Sequence, residues 1–314
     1  MESPGWDPRL EEALARRGGR YLRRGESDYP AFAERVRPPK ILTVRGSLGE
    51  AGVGPVPRAV AVVGSRRADP GALQLARRFG NALARAGFTV VSGGALGVDA
   101  AAHEGALEAG GSTVAVLGSG VLKPMPERNR RLFARMLEAG GGLCAEVPPD
   151  APAFAWQFPE RNRLVAGLSR AVVVVRAARK SGCIHTVRAA FDLGLPIYAV
   201  PAQERGERNG LVEDLLGGLV PDRRVRAVRD ADELLHLLGA GRERREPPGL
   251  EPRERQVLSA LQDLPAPLGA IAVAAGVEPA EAARVLASLC GRGLARAAGP
   301  GRFAAGRSEW WDGG

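Results

Sequence analysis

Three short stretches combine glycine, serine and basic residues: Gly64-Ser65-Arg66-Arg67, Ser92-Gly93-Gly94-Ala95-Leu96-Gly97-Val98-Asp99, and Lys180-Ser181-Gly182. Each follows a short apolar run and leads into a stretch with helical spacing. Such loops suit the holding of an anion. Glycine lets backbone amides approach, serine donates a hydroxyl, and a helix start is positively polarised. Arg66 and Lys180 add full charges. One such loop is ordinarily a structural turn; three on one edge predict a phosphate-type ligand. The first loop is G-S-R-R, not G-x-G-x-x-G, and no acidic residue ends the second apolar run, so a nicotinamide dinucleotide is a poor fit. A Walker A pattern is absent.

Other chemistry is weaker. Asp99 and His103 lie four apart on one expected helix. The plainer reading is that Asp99 caps or braces its loop and His103 hydrogen-bonds nearby. Cys183 stands beside Ser181 with no evident base, so it reads as a packing residue. Three histidines and no CxxC or HExxH spacing leave little for a metal site.

The loops act together only if the elements before them share a sheet. Ala59–Val63, Phe88–Val91, Thr113–Leu117, Leu143–Ala145, Ala171–Val175 and Pro196–Val200 are short apolar runs. Amphipathic stretches at Pro70–Ala86, Asp99–Ala109, Glu127–Ala139 and Thr186–Leu193 lie between several of them. Strands apolar on both faces and alternating with helices predict an α/β fold, a Rossmann-like doubly wound, mostly parallel sheet, over residues 58–240. Residues 1–57 read as a short helix, Pro8–Arg17, and a Pro-rich connection packed on that domain. Residues 241–249 read as a charged linker, 250–308 as a winged-helix domain of three helices and a hairpin, and 309–314 as a tail.

The chain has 314 residues, with 44 Lys+Arg against 35 Asp+Glu, a formal net charge of +9. That field attracts polyanions. Only Lys40, Lys123 and Lys180 are lysines; arginine suits bidentate phosphate contacts, although the codon bias of a GC-rich genome is the plainer cause of the ratio. No apolar run is long enough for a membrane span, and the start lacks a secretory pattern. Three cysteines far apart fit a reducing, cytoplasmic setting.

The segments VAVVGSR (60–66), SGGALGVDAAAHEGAL (92–107), TVAVLGSGV (113–121), FPERNRLVAGLS (158–169), SGCIHT (181–186) and YAVPA (198–202) occur in the order of the DNA-processing protein A (DprA/Smf) family, which this chain resembles. Residues 28–30 (DYP) and 38–46 (PPKILTVRG) extend the likeness. The resemblance implies an extended Rossmann fold and a role without catalysis, metal or cofactor. It implies single-stranded DNA binding by a homodimer, loading of RecA recombinase during natural transformation, protection of incoming DNA, and dealings with single-strand-binding protein. Carried over by motif, the DNA contacts are Gly64, Ser65, Arg66, Ser92, Gly93, Gly94, Phe158, Arg161, Asn162, Arg163, Lys180, Ser181, Gly182 and Thr186. Arg161 and Arg163 cannot face the same way on a helix, and Arg163 is the one expected to reach the strand.

Departures bear on single contacts. Arg176 stands where an acidic residue is usual, which is expected to make the groove more positive. Leu96 replaces a common basic residue, His185 an apolar one, Met125 a Tyr and Ala202 a Gly. The expected C-terminal recognition helix, Pro279–Cys290, offers only Arg284 as a reader, which favours a protein contact, or simple capping of the main domain, over base readout. The alternative is a nucleotide phosphoribohydrolase of the lysine-decarboxylase-like class, but Ala189 occupies the position of its hydrolytic Glu. A transcription regulator using the winged helix on duplex DNA is a third reading.

Overall fold

The computed structural model describes residues 8–30, 36–51, 57–202, 209–217, 224–240, 249–261 and 266–306. It begins with α1 (Pro8–Ala15), β1 (Gly19–Arg23) and β2 (Ile41–Gly46). Strands and helices then alternate as β3 (Ala59–Val63), α2 (Pro70–Arg85), β4 (Thr89–Ser92), α3 (Val98–Glu108), β5 (Thr113–Leu117), α4 (Arg130–Glu138) and β6 (Gly142–Ala145). The alternation continues with α5 (Gln157–Gly167), β7 (Val172–Val174), α6 (Cys183–Leu193), β8 (Ile197–Ala199), α7 (Gly210–Leu216), β9 (Val225–Ala227) and α8 (Ala231–Leu237).

Every residue of β3 and β5 is buried. A strand covered on both faces favours apolar side chains, which is why these runs carry no polar alternation; the one polar residue, Thr113 of β5, donates to the Val90 carbonyl and meets His103. Successive residues still serve opposite faces. On β5, Val114 and Val116 join a core with Leu164 of α5 and Val187 of α6. Ala115 and Leu117 face Phe133 and Met136 of α4.

The nine strands form one sheet in the order β1-β2-β6-β5-β4-β3-β7-β8-β9. Pairings from β6 through β9 are parallel, and β2 joins β6 antiparallel. The chain lays β4, β5 and β6 to one side of β3, then returns to place β7 on the other. A crevice therefore opens between the carboxyl ends of β3 and β7, where ligands bind in sheets of this kind.

The N-terminal segment departs from expectation. Beyond its helix it contributes β1 and β2, paired from Gly19↔Arg45 to Arg23↔Ile41, and extends the sheet edge. Thr43 Oγ1 donates to the carbonyls of Ala145 (3.2 Å) and Val147 (3.1 Å), fastening β2 to the end of β6. Elsewhere boundaries shift by a residue or two, except that α4 begins at Arg130 rather than Glu127, after a 3-10 turn, and that α6 starts early. That helix begins at Cys183 rather than Thr186, with Gly182 as its N-cap, and Ser181 Oγ accepts the Cys183 N–H (3.2 Å) in the turn before it.

From His236 onward the chain forms a second compact unit. It contains α9 (Pro252–Ala260), β10 (Ala266–Pro267), α10 (Leu268–Ala275), α11 (Pro279–Gly291), β11 (Ala295–Ala297) and β12 (Arg302–Ala305). The strands form an antiparallel sheet in the order β10-β12-β11. Val257, Leu258, Ile271, Leu286 and Leu289 make its core. Of the expected linker only Gly249 is described, and the expected tail 309–314 lies outside the described residues. Among the described residues no helix is long and apolar enough to cross a membrane.

Candidate functional site

A cleft of about 1220 Å³ lies at the crevice beside β3 and β7. Its wall includes Gly64, Ser65, Arg66, Gly93, Phe158, Arg161, Asn162, Ser181, Gly182 and Thr186 from the expected set. All three glycine-serine loops thus meet at one place, and α5 supplies the side between them.

The loops after β3 and β4 are locked back to back. Ser65 N donates to the Arg176 carbonyl (2.6 Å), Val98 N donates to the Ser65 carbonyl (3.1 Å), and Ser65 Oγ accepts the Arg67 N–H (3.1 Å). Gly97 has φ +82°, and a Cβ there would stand 2.2 Å from the Ser65 carbonyl oxygen. Only glycine supplies both the left-handed backbone and the clearance.

Asp99 braces the second loop. Its Oδ2 accepts the N–H groups of Gly93 (3.1 Å) and Ala95 (3.2 Å). From the other side Arg161 Nη1 donates to the Gly93 carbonyl (2.5 Å). Asn129 Nδ2 donates to the carbonyls of Gly94 (2.9 Å) and Ala95 (3.1 Å). Burial pushes the Asp99 carboxyl up, against the opposing pull of Arg161 and the loop amides. Burial likewise lowers Arg161 to about 10, with Asp99 pulling the other way, so its guanidinium stays charged at neutral pH. His103 belongs to no acid–base pair with Asp99. Its Nδ1 meets Thr113 Oγ1 at 2.6 Å, its ring is fully buried, and burial, then Arg161, drops its pKa to about 3. Burial raises the Cys183 thiol to about 11, which removes it as a nucleophile near neutral pH.

The solvent side of the cleft carries the charge. Arg66 and Arg67 are exposed, and neither forms an ion pair with a described residue. The Arg66 guanidinium lies over the Phe158 ring, 5.3 Å from its centroid, and Phe158 packs on Gly118 after β5. Asn162 Nδ2 donates to the Gly182 carbonyl (3.1 Å), tying α5 to the loop after β7.

Four expected residues fall elsewhere. Ser92 is buried, and its hydroxyl donates to the Val62 carbonyl (2.6 Å) across the β3–β4 pair. Gly94 turns behind the wall, against Phe133. Lys180 is exposed on the turn before α6 but does not line the cleft. Arg163, the arginine expected to reach the ligand, points away and pairs with both oxygens of Glu146 at 2.6 Å. The structure turns Arg161 inward instead. Arg176 adds no free positive charge, because Asp69 Oδ2 sits 3.1 Å from its Nη2. Arg67, Arg176 and His185, outside the expected contact set, also line the cleft, and so does Asp69, which the sequence did not single out. Asp69 was readable as the start of α2, where its Oδ1 accepts the Ala72 N–H (2.9 Å) just before Pro70.

A family model for DNA recombination-mediator protein A matches residues 20–216. Protein Smf of Escherichia coli is 44% identical over 142 residues, which is 45% of this chain and 38% of that protein. A Mycobacterium tuberculosis protein bearing the DNA processing protein DprA name is 37% identical over 308 residues, covering 90% of this chain and 76% of its own length. A solved structure of DNA processing protein A from Helicobacter pylori, described for its single-stranded DNA binding mode, superposes with a TM-score of 0.59 at 29% identity. That superposition covers 69% of this chain and 95% of the other.

Proposed function

The chain belongs to the DNA recombination-mediator protein A family, and from that premise we propose that it binds single-stranded DNA along the cleft and hands the strand to a RecA-type recombinase. The observation that carries the reading is the make-up of the open wall. Two arginines without a described carboxylate partner and a half-buried aromatic ring stand beside the serine and glycine loops. A single strand presents phosphates and unstacked bases together, and this wall offers a group for each.

Arg66 and Arg67 would neutralise phosphates and release counterions. Phe158 would offer its ring to a base, with Ser65 and Ser181 supplying hydroxyls and the buried Thr186 backing the wall. Arg161, Asn162 and Asp99 are positioning residues that hold the loops around Gly93 and Gly182. No step requires bond making, so the protein acts by binding. A second copy of the chain, RecA and single-strand-binding protein are the partners that go with this role during natural transformation.

The test is a salt-titrated binding assay with oligo(dT), a duplex of equal length and AMP. Tight binding of oligo(dT) is expected, with log K falling by about 0.7 per phosphate neutralised for each decade of salt. Duplex should bind more weakly and AMP should persist. Duplex binding as tight as oligo(dT), or turnover of AMP, would refute the reading.

A further inference from the structure

A second pocket, of about 560 Å³, lies on the same unit and shares no residue with the cleft. Its floor is apolar: Leu122, Phe133, Leu137 and Leu143. Its rim is basic. Arg17, Arg45, Lys123 and Arg130 line it against one carboxylate, Glu127. Lys123 and Arg130 have partners, Asp150 at 3.9 Å and Glu127 at 3.4 Å, both loose and exposed.

Arg17 and Arg45 differ. Arg45 comes from β2, opposite Leu143 of β6, and its Nε donates to the Arg17 carbonyl (3.1 Å) in the turn after α1. That bond draws two guanidinium side chains to one corner. Neither forms an ion pair with a described residue. Arg45 is held below the usual arginine range by burial first and by the Arg17 charge second. Two like charges side by side disfavour each other. An anion bridging them turns that repulsion into paired, charge-assisted hydrogen bonds.

The lining says which anion. The cleft has an aromatic ring at its wall and glycine-serine loops beside it. Here the only ring among the described lining residues, Phe133, is 1% exposed and offers no face to a base. The accessible apolar surface is aliphatic, with Met125 at the rim 40% exposed. Methionine adapts its shape to an incoming apolar side chain. An aliphatic floor inside a basic rim complements an apolar residue flanked by carboxylates better than it complements a nucleotide.

We propose that this pocket docks an acidic peptide segment of a partner protein, with an apolar side chain on the floor and flanking carboxylates across Arg17 and Arg45. The proposal stands whether or not the cleft holds DNA.

The probe is a short fluorescent peptide of central leucines flanked by aspartates and glutamates, titrated by anisotropy against the full chain. Saturable binding is expected. It should weaken about tenfold in Arg17→Ala, the loss of one charge-assisted contact. Amide replacement of the carboxylates, or serine in place of the leucines, should abolish it. Arg17 is exposed, so this variant keeps its fold; Arg45→Ala, half-buried, is checked by its melting curve. Oligo(dT) affinity of Arg17→Ala should stay within about twofold of the parent. Three results each overturn the proposal. The peptide does not bind, or it binds both variants as tightly as the parent. Otherwise oligo(dT) displaces the peptide and loses affinity in the same variants, which makes the pocket a nucleic-acid surface.

Discussion

Arg66→Ala isolates the charge at the open wall. In the folded protein the guanidinium makes one notable contact, the Phe158 ring 5.3 Å away. An exposed cation–π contact is worth about 0.5–1 kcal/mol, so stability should change by no more than about that. On DNA the same group would hold a phosphate. Losing one charge-assisted hydrogen bond costs about 1.5–3 kcal/mol, roughly a ten- to hundredfold drop in affinity. The salt slope should also become shallower by about 0.7, one phosphate on a single strand. The assay is oligo(dT) anisotropy over a salt series, with oligo(dA) beside it. Arg66→Lys keeps the charge but not the planar fork. It should restore the slope and only part of the affinity. An affinity loss with unchanged slope refutes the assignment of Arg66 to phosphate. So does a changed base preference with affinity intact.

Arg161→Ala and Arg163→Ala should separate cleanly. The first leaves the buried Gly93 carbonyl without its donor and removes the charge opposing Asp99, and should cost about 1–3 kcal/mol of stability in a denaturation curve. The second frees only the half-exposed Glu146 and should leave oligo(dT) affinity within about twofold; a large loss there would return Arg163 to the contact set. His103 should make the fold acid-sensitive. Its pKa is about 3 when folded against 6.5 when free, so the unfolded chain takes up the proton first and stability falls as pH drops below about 6.5 toward 3. Between pH 7.5 and 5 this amounts to about 2 kcal/mol, which His103→Gln should remove from the pH dependence of chemical denaturation; an unaltered dependence would clear His103.

The parallel strands were legible because burial on both faces leaves an uninterrupted apolar run; Ala59–Val63 and Thr113–Leu117 coincide with the strands to the residue. β1 and β2 were not. Their sequences, GRYLR at the sheet edge and ILTVRG one strand in, mix charge with apolar residues. What makes β2 a strand is pairing such as Thr43↔Ala145, a partner distant in sequence. The same distance hid the phase of α5. Two residues along a helix turn by about 200°, so the sequence says that Arg161 and Arg163 diverge, not which one faces in. The choice is made by Glu146, beyond β6, which captures Arg163, and by the Gly93 carbonyl, which receives Arg161. The bond that Ser92 makes was hidden for a similar reason. A hydroxyl after a strand looks available until the neighbouring strand's Val62 carbonyl takes it.

The loop glycines carry one more test, since they are not alike. A Cβ on Gly97 would meet the Ser65 carbonyl at 2.2 Å, and one on Gly93 would meet Asp99 Oδ2 and Arg161 Nη2 at 2.7 Å each. Those glycines are required by the protein itself, whatever binds. Gly182 lines the cleft, yet a Cβ there would meet nothing within 4 Å. Its backbone, φ −60° and ψ −14°, is one that any residue adopts. Nothing in the fold accounts for glycine at this position, whereas a ligand approaching the start of α6 would. Gly182→Ala should therefore leave the melting temperature unchanged or slightly higher, since alanine restricts the unfolded chain. Oligo(dT) affinity should fall at least severalfold, about 1 kcal/mol or more, as the methyl group holds the phosphate off the backbone. If affinity is unchanged, the strand does not come close to Gly182, and the loop after β7 drops out of the binding surface.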